Sequence, residues 1–153
     1  MVKNILLFTL LLFACTAASA QQEGKKFHAY IVNNEYSVYL KINFHEQDVD
    51  VPGQPLYGKL PGYLGKKNNS FCWPITSAKL KNDKLAEIQL INGKSATLAL
   101  INDYGSEDLT ATLTCKNDST YVLKHVSGSA IKVPNNGKWQ KLPKTIVFKT
   151  AKP

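Results

Sequence analysis

The stretch Tyr36-Ser37-Val38-Tyr39-Leu40-Lys41-Ile42-Asn43-Phe44 decides the fold class. Tyr36, Val38, Leu40, Ile42 and Phe44 fall on alternate positions, with Ser37, Tyr39, Lys41 and Asn43 between them. A period of two marks a half-buried strand, because successive side chains point to opposite faces of a sheet. A helix would need its apolar residues three and four apart. Upstream, Phe27-His28-Ala29-Tyr30-Ile31-Val32 supplies a second strand, and Asn33-Asn34 stands between the two. An Asn-Asn pair suits the positive φ of a two-residue type I′ turn. The register that follows sets Ile31 against Tyr36, Ala29 against Val38 and Phe27 against Leu40, which joins the apolar faces.

The same alternation runs outward along the chain. Ala86, Ile88 and Leu90 precede Asn92-Gly93-Lys94, and Ala96, Leu98 and Leu100 follow it. A three-residue loop there pairs Leu90 with Ala96 and Ile88 with Leu98, keeping the apolar faces matched where a two-residue loop would split them. Leu109, Ala111, Leu113 and Cys115 alternate with threonines and face Tyr121, Leu123 and His125 across the polar turn 116–120. Further short strands are expected at 56–64, 71–80, 130–133 and 145–149. Gly58, Gly62 and Gly65 interrupt the first of these, as at a bend or closure of a sheet. Turn clusters at 66–70, 81–84 and 134–138 separate the strands. About 8–10 short strands at regular spacing predict an antiparallel β-sandwich or an up-and-down β-barrel. No repeat or linker divides residues 21–153, which read as a single all-β domain.

Residues 1–20 read as a cleaved signal peptide. Lys3 precedes an apolar run from Ile5 to Ala14, and Ala18-Ser19-Ala20 offers the small residues a signal peptidase needs. The run is too short to span a bilayer. The competing expectation is lipoprotein processing at Cys15, after Leu12-Phe13-Ala14. Export leaves Cys72 and Cys115 as a candidate disulfide, closing a loop of about 43 residues worth roughly 4 kcal/mol in the chain-entropy account. The alternative is two buried thiols that never meet.

The full chain of 153 residues has a formal net charge of +8, and its 19 basic residues are all Lys. A nucleic-acid reader is not expected without Arg, whose planar fork supplies bidentate base and phosphate contacts. The charge is also localised. From Gln21 to Asp118 there are 11 Lys against 11 acids, whereas Ser119 to Pro153 carries seven Lys and no acid. Within that basic end, Trp139 sits with Lys138, Lys141 and Lys144 in what reads as a polar loop, and Lys132 stands in the strand before it. An aromatic side chain set among lysines is a candidate contact anchor for an acidic protein or an anionic envelope glycan.

The catalytic inventory is thin. There is no Gly-x-Ser-x-Gly elbow and no His-Glu-x-x-His pair. His28, His45 and His125 stand singly, which points to hydrogen-bonded structural residues rather than to a base. Glu46, Asp48 and Asp50 are a weak metal candidate, three hard oxygen donors on one face if the segment is extended. Trp73, Tyr57, Tyr63, Tyr104 and Phe71 are expected in the core. The combined expectation is an exported, non-enzymatic binding domain without a cofactor, in one form an inhibitor or immunity protein. The alternative is a lipocalin-like carrier of a small apolar ligand inside a barrel.

Overall fold

A computed structural model describes residues 25–93 and 108–153. The signal-peptide and lipoprotein expectations, the Ala96–Leu100 strand and Tyr104 lie outside the described residues. The described strands are β1 (His28–Asn33), β2 (Val38–Asn43), β3 (Val49–Asp50), β4 (Lys59–Leu60), β5 (Gly62–Lys66), β6 (Cys72–Leu80), β7 (Leu85–Ile91), β8 (Asp108–Asn117), β9 (Thr120–Gly128), β10 (Lys132–Asn135), β11 (Lys138–Lys141) and β12 (Thr145–Thr150). Eight of them close into an antiparallel barrel in the order β1-β2-β5-β6-β7-β8-β9-β12, with β12 returning to β1. Barrel neighbours are thus successive barrel strands, the up-and-down arrangement. The ribbons β3–β4 and β10–β11 are two-stranded insertions in this meander.

Inward-facing residues fill the barrel. In β7, Ala86, Ile88 and Leu90 are wholly buried while Glu87 and Gln89 are exposed, which is the alternation seen in the sequence. Trp73, Phe27, Phe148, Ile31, Leu40 and Leu64 are the larger side chains of the interior. An eight-stranded barrel is just wide enough for side chains to fill. Phe27 stacks on Phe44 at 5.6 Å and meets Tyr121 edge-on at 5.9 Å, closing one end. At the other end Ile131, Val133 and Leu142, from the ribbon β10–β11 and its flanks, join the same core. Outside the wall, Val49, Val51, Leu60, Tyr63 and Cys72 form a second small cluster. Gly65 makes room there for the Tyr39 ring, since a Cβ on it would lie 2.4 Å from that ring.

Three expectations need correction. The first hairpin pairs Ile31 with Leu40, Ala29 with Ile42 and Asn33 with Val38, so its loop is the four residues 34–37. Asn33 is the cause: its Oδ1 accepts the Tyr36 N–H at 2.8 Å, and Ser37 turns the chain back with φ +52°. The partner of β7 is not the Ala96–Leu100 segment. One edge of β7 is taken by β6 and the other by β8, with Leu90 opposite Leu109 and Ile88 opposite Ala111. The third hairpin is as expected, with Cys115 facing Tyr121, Leu113 facing Leu123 and Ala111 facing His125.

The disulfide is the third correction, because Cys72 and Cys115 are both buried free thiols. Ile75, Leu90 and Leu109 lie in one row across β6, β7 and β8. Cys72 is three residues to one side of that row and Cys115 six residues to the other, roughly 30 Å apart at about 3.3 Å per residue. A bridge requires Cα atoms within about 7 Å. The two thiols also lie on opposite sides of the barrel wall, Cys115 in the interior and Cys72 in the outer cluster.

Candidate functional site

Lys138, Trp139 and Lys141, expected in a loop, stand instead on a β-ribbon, whose other strand holds Lys132. Asn136 and Gly137, with φ +50° and +77°, connect β10 to β11 as a type I′ turn requires. Lys132 is directly opposite Lys141, Val133 opposite Gln140, Pro134 opposite Trp139 and Asn135 opposite Lys138. Since neighbouring positions alternate between faces, one face carries Lys132, Pro134, Trp139 and Lys141. The other face carries buried Val133 and closes the barrel mouth. The sequence therefore places two lysines side by side on an outward face, next to the tryptophan.

Trp139 is 51% exposed, and its ring meets Phe71 edge-on at 5.0 Å. Phe71 in turn meets Trp73 at 6.4 Å. Trp73 is wholly buried, and its Nε1 donates to the Lys132 carbonyl at 2.9 Å, which ties β10 to the core. The exposed tryptophan thus rests on a chain of rings that ends inside the barrel. Phe71, expected in the core, packs half-buried against it and also supports Trp139, a contact that only the fold reveals. The Asn136-Gly137 pair is the signal from which the ribbon was readable.

Lys132, Lys138, Lys141 and Lys144 are all exposed. The ion pairs found among the described residues are Lys25–Glu46, Lys26–Asp83, Lys59–Asp50 and Lys81–Glu87, so none involves the basic end. Directly opposed like charges destabilise a strand pair, and no described carboxylate offsets the Lys132–Lys141 pair. Two neighbouring features extend the basic surface. Near the ribbon tip, a groove of about 370 Å³ is bordered by Lys66, Lys67, Asn69 and Asn136. At the ribbon base, a smaller hollow of about 190 Å³ is bordered by His125, Lys141 and Lys144. Nε2 of His125 lies 3.1 Å from the Ser129 carbonyl and 3.2 Å from that of Gly128. Because carbonyls only accept, that nitrogen carries its proton. His45 uses its Nε2 in the same way, 2.6 Å from the Lys26 carbonyl.

The acidic candidate does not assemble. Gln47, at φ +52°, turns the chain between Glu46 and Asp48, so the segment is not extended. Glu46 pairs with Lys25, Asp48 accepts from Asn43, and Asp50 pairs with Lys59. Among the described residues no group of three His, Cys, Asp or Glu side chains could hold a metal ion. Nor is any described helix long and apolar enough to cross a membrane.

No family model matches the chain, and neither a curated protein nor a solved structure does.

Proposed function

We propose that this protein is an exported, non-enzymatic binding domain that meets an acidic macromolecular partner through the outer face of the ribbon β10–β11. The observation that carries the reading is the register of that ribbon. It sets Lys132 and Lys141 side by side, next to the exposed Trp139, with no described ion pair to either lysine. Uncompensated charge around a half-exposed aromatic ring is what a contact anchor for an anionic surface needs. Packing of Trp139 on Phe71 holds that ring in place, which lowers the ordering cost of binding. The partner is an acidic protein or an anionic envelope glycan, and an inhibitor or immunity protein is one form such a domain takes. The filled barrel favours this surface over the alternative of an apolar-ligand carrier.

Isothermal titration with polyglutamate, for an acidic protein, and alginate, for an anionic glycan, tests the reading. Binding to at least one is expected at low salt, with marked weakening as salt screens the charges. Changing Lys132 and Lys141 on that face, together with the neighbouring Lys144, to Glu should abolish it. An unchanged affinity in that variant refutes the proposal.

A further inference from the structure

We propose that a second site, at the opposite end of the barrel from the ribbon, binds a neutral saccharide. A cleft of about 570 Å³ lies where β1 runs beside residues 150–153, with His28, Tyr30, Lys41, Asp48 and Asp118 among the residues that line it. Its volume falls within the range of about 300–1,000 Å³ typical of small-molecule sites.

Two of its side chains are held in place by the surrounding fold. The half-buried Tyr30 ring is braced by Tyr39 at 5.3 Å, and Tyr39 by Tyr63 at 5.8 Å. Asp48 is oriented by Asn43, which is only 4% exposed and donates from Nδ2 to Oδ1 of Asp48 at 2.9 Å. Asn43 cannot turn away, because its own Oδ1 accepts the N–H groups of His45 and Glu46, each at 3.2 Å. Asp48 takes part in none of the ion pairs found among the described residues. Lys41 stands directly opposite Tyr30 on one side and Tyr63 on the other, exposed and outside every ion pair found among the described residues.

The charge pattern selects the ligand class. Lys25 is engaged by Glu46 and Asp50 by Lys59, so Lys41, Asp48 and Asp118 line the cleft as charges of both signs outside every ion pair found among the described residues. An apolar ligand would strip water from these charges without replacing it. An anionic ligand would meet the carboxylates, and a cationic one would meet Lys41. A neutral sugar satisfies both signs, since its hydroxyls donate to a carboxylate and accept from an ammonium. Its C–H face packs on a tyrosine ring.

Saturation-transfer NMR on the full chain, with cellobiose, lactose and N,N′-diacetylchitobiose as probes and glucuronate and free lysine as charged controls, tests this. At least one neutral disaccharide should show transfer and outcompete both controls. Tyr30→Ala and Asp48→Ala should each weaken it at least tenfold, while Tyr30→Phe, which keeps the ring, should retain it. Lys41→Ala, at an exposed strand position, provides the same loss if either of the first two fails to fold. Trp139→Ala should leave sugar binding intact, so the result is independent of the ribbon. The proposal is overturned by no transfer from any neutral sugar, by a preference for either charged control, or by folded variants that bind as tightly as the wild type.

Discussion

Asn33 serves two parts of the molecule with one amide group. Its Oδ1 accepts the Tyr36 N–H at 2.8 Å and so shapes the loop 34–37. Its Nδ2 donates to the Val147 carbonyl at 2.9 Å, across the seam where β1 meets β12. The regular pairing at that seam is short, Ile31 with Thr150 and Val32 with Lys149, so a side-chain hydrogen bond there matters more than it would in a long ladder. Asn33→Ala removes both bonds and should cost about 1–3 kcal/mol. A shift of the urea midpoint with little change in slope is the expected signature, and an unchanged midpoint would show that Asn33 does not hold the seam. Asn33 also explains a failure of sequence reading. The expected and observed registers of the first hairpin differ by an even number of residues, so both keep Ile31 and Leu40 on the inner face. Apolar periodicity cannot separate two such registers. The choice falls to one polar side chain.

Among elements, the ribbon β10–β11 was the least legible in the sequence and carries the proposed contact surface. Its positions Lys138 to Lys141 are polar or exposed throughout, and Val133 on the facing strand is the one side chain that the ribbon's two strands bury in the barrel core. The Asn136-Gly137 turn was its one clear mark. Gly137 has φ +77° and open space where a Cβ would stand, so Gly137→Ala adds backbone strain without a clash. It should cost about 1–2 kcal/mol and loosen the ribbon, seen as a lower melting temperature and a shift in Trp139 fluorescence. A variant as stable as the wild type would argue against a strained turn. The hairpin β8–β9 was legible for the opposite reason. Its inner face runs Leu109, Ala111, Leu113 and Cys115 without interruption, and the polar turn 116–120 leaves one way to match it. For β7 the alternation was read correctly and its partner wrongly. Ala96, Leu98 and Leu100 repeat the same pattern nearer in sequence, and nothing in a periodicity says which of two equivalent runs wins.

For the whole molecule, buried weak acids set a limit on the alkaline side. Burial pushes the Cys72 thiol up to about 11 from an ordinary 9.0, and the Tyr121 phenol up to about 12 from 10.0. Burial also raises the Tyr63 phenol, with a further contribution from its hydrogen bond to Tyr39. In each case the folded state holds its proton more tightly than the unfolded chain. The stability this gives is complete below the unfolded value and is lost as pH rises through the folded one. The melting temperature should therefore hold up to about pH 9 and fall between there and pH 12, with a shallower fall above pH 10 in Tyr121→Phe. A melting temperature that rose over that window would contradict the burial of these groups. The order of the barrel strands has a consequence in time as well. The pairs β1–β2, β5–β6, β6–β7 and β8–β9 lie one short connection apart along the chain, but Ile31 must wait for Thr150. Hairpins such as β8–β9 close small loops and form early, whereas the seam between β1 and β12 closes the largest and forms last. Until it does, β1 and β12 present open edges on which another copy's strand could template. Refolding yield should thus depend on how fast this final pairing outruns encounters between chains.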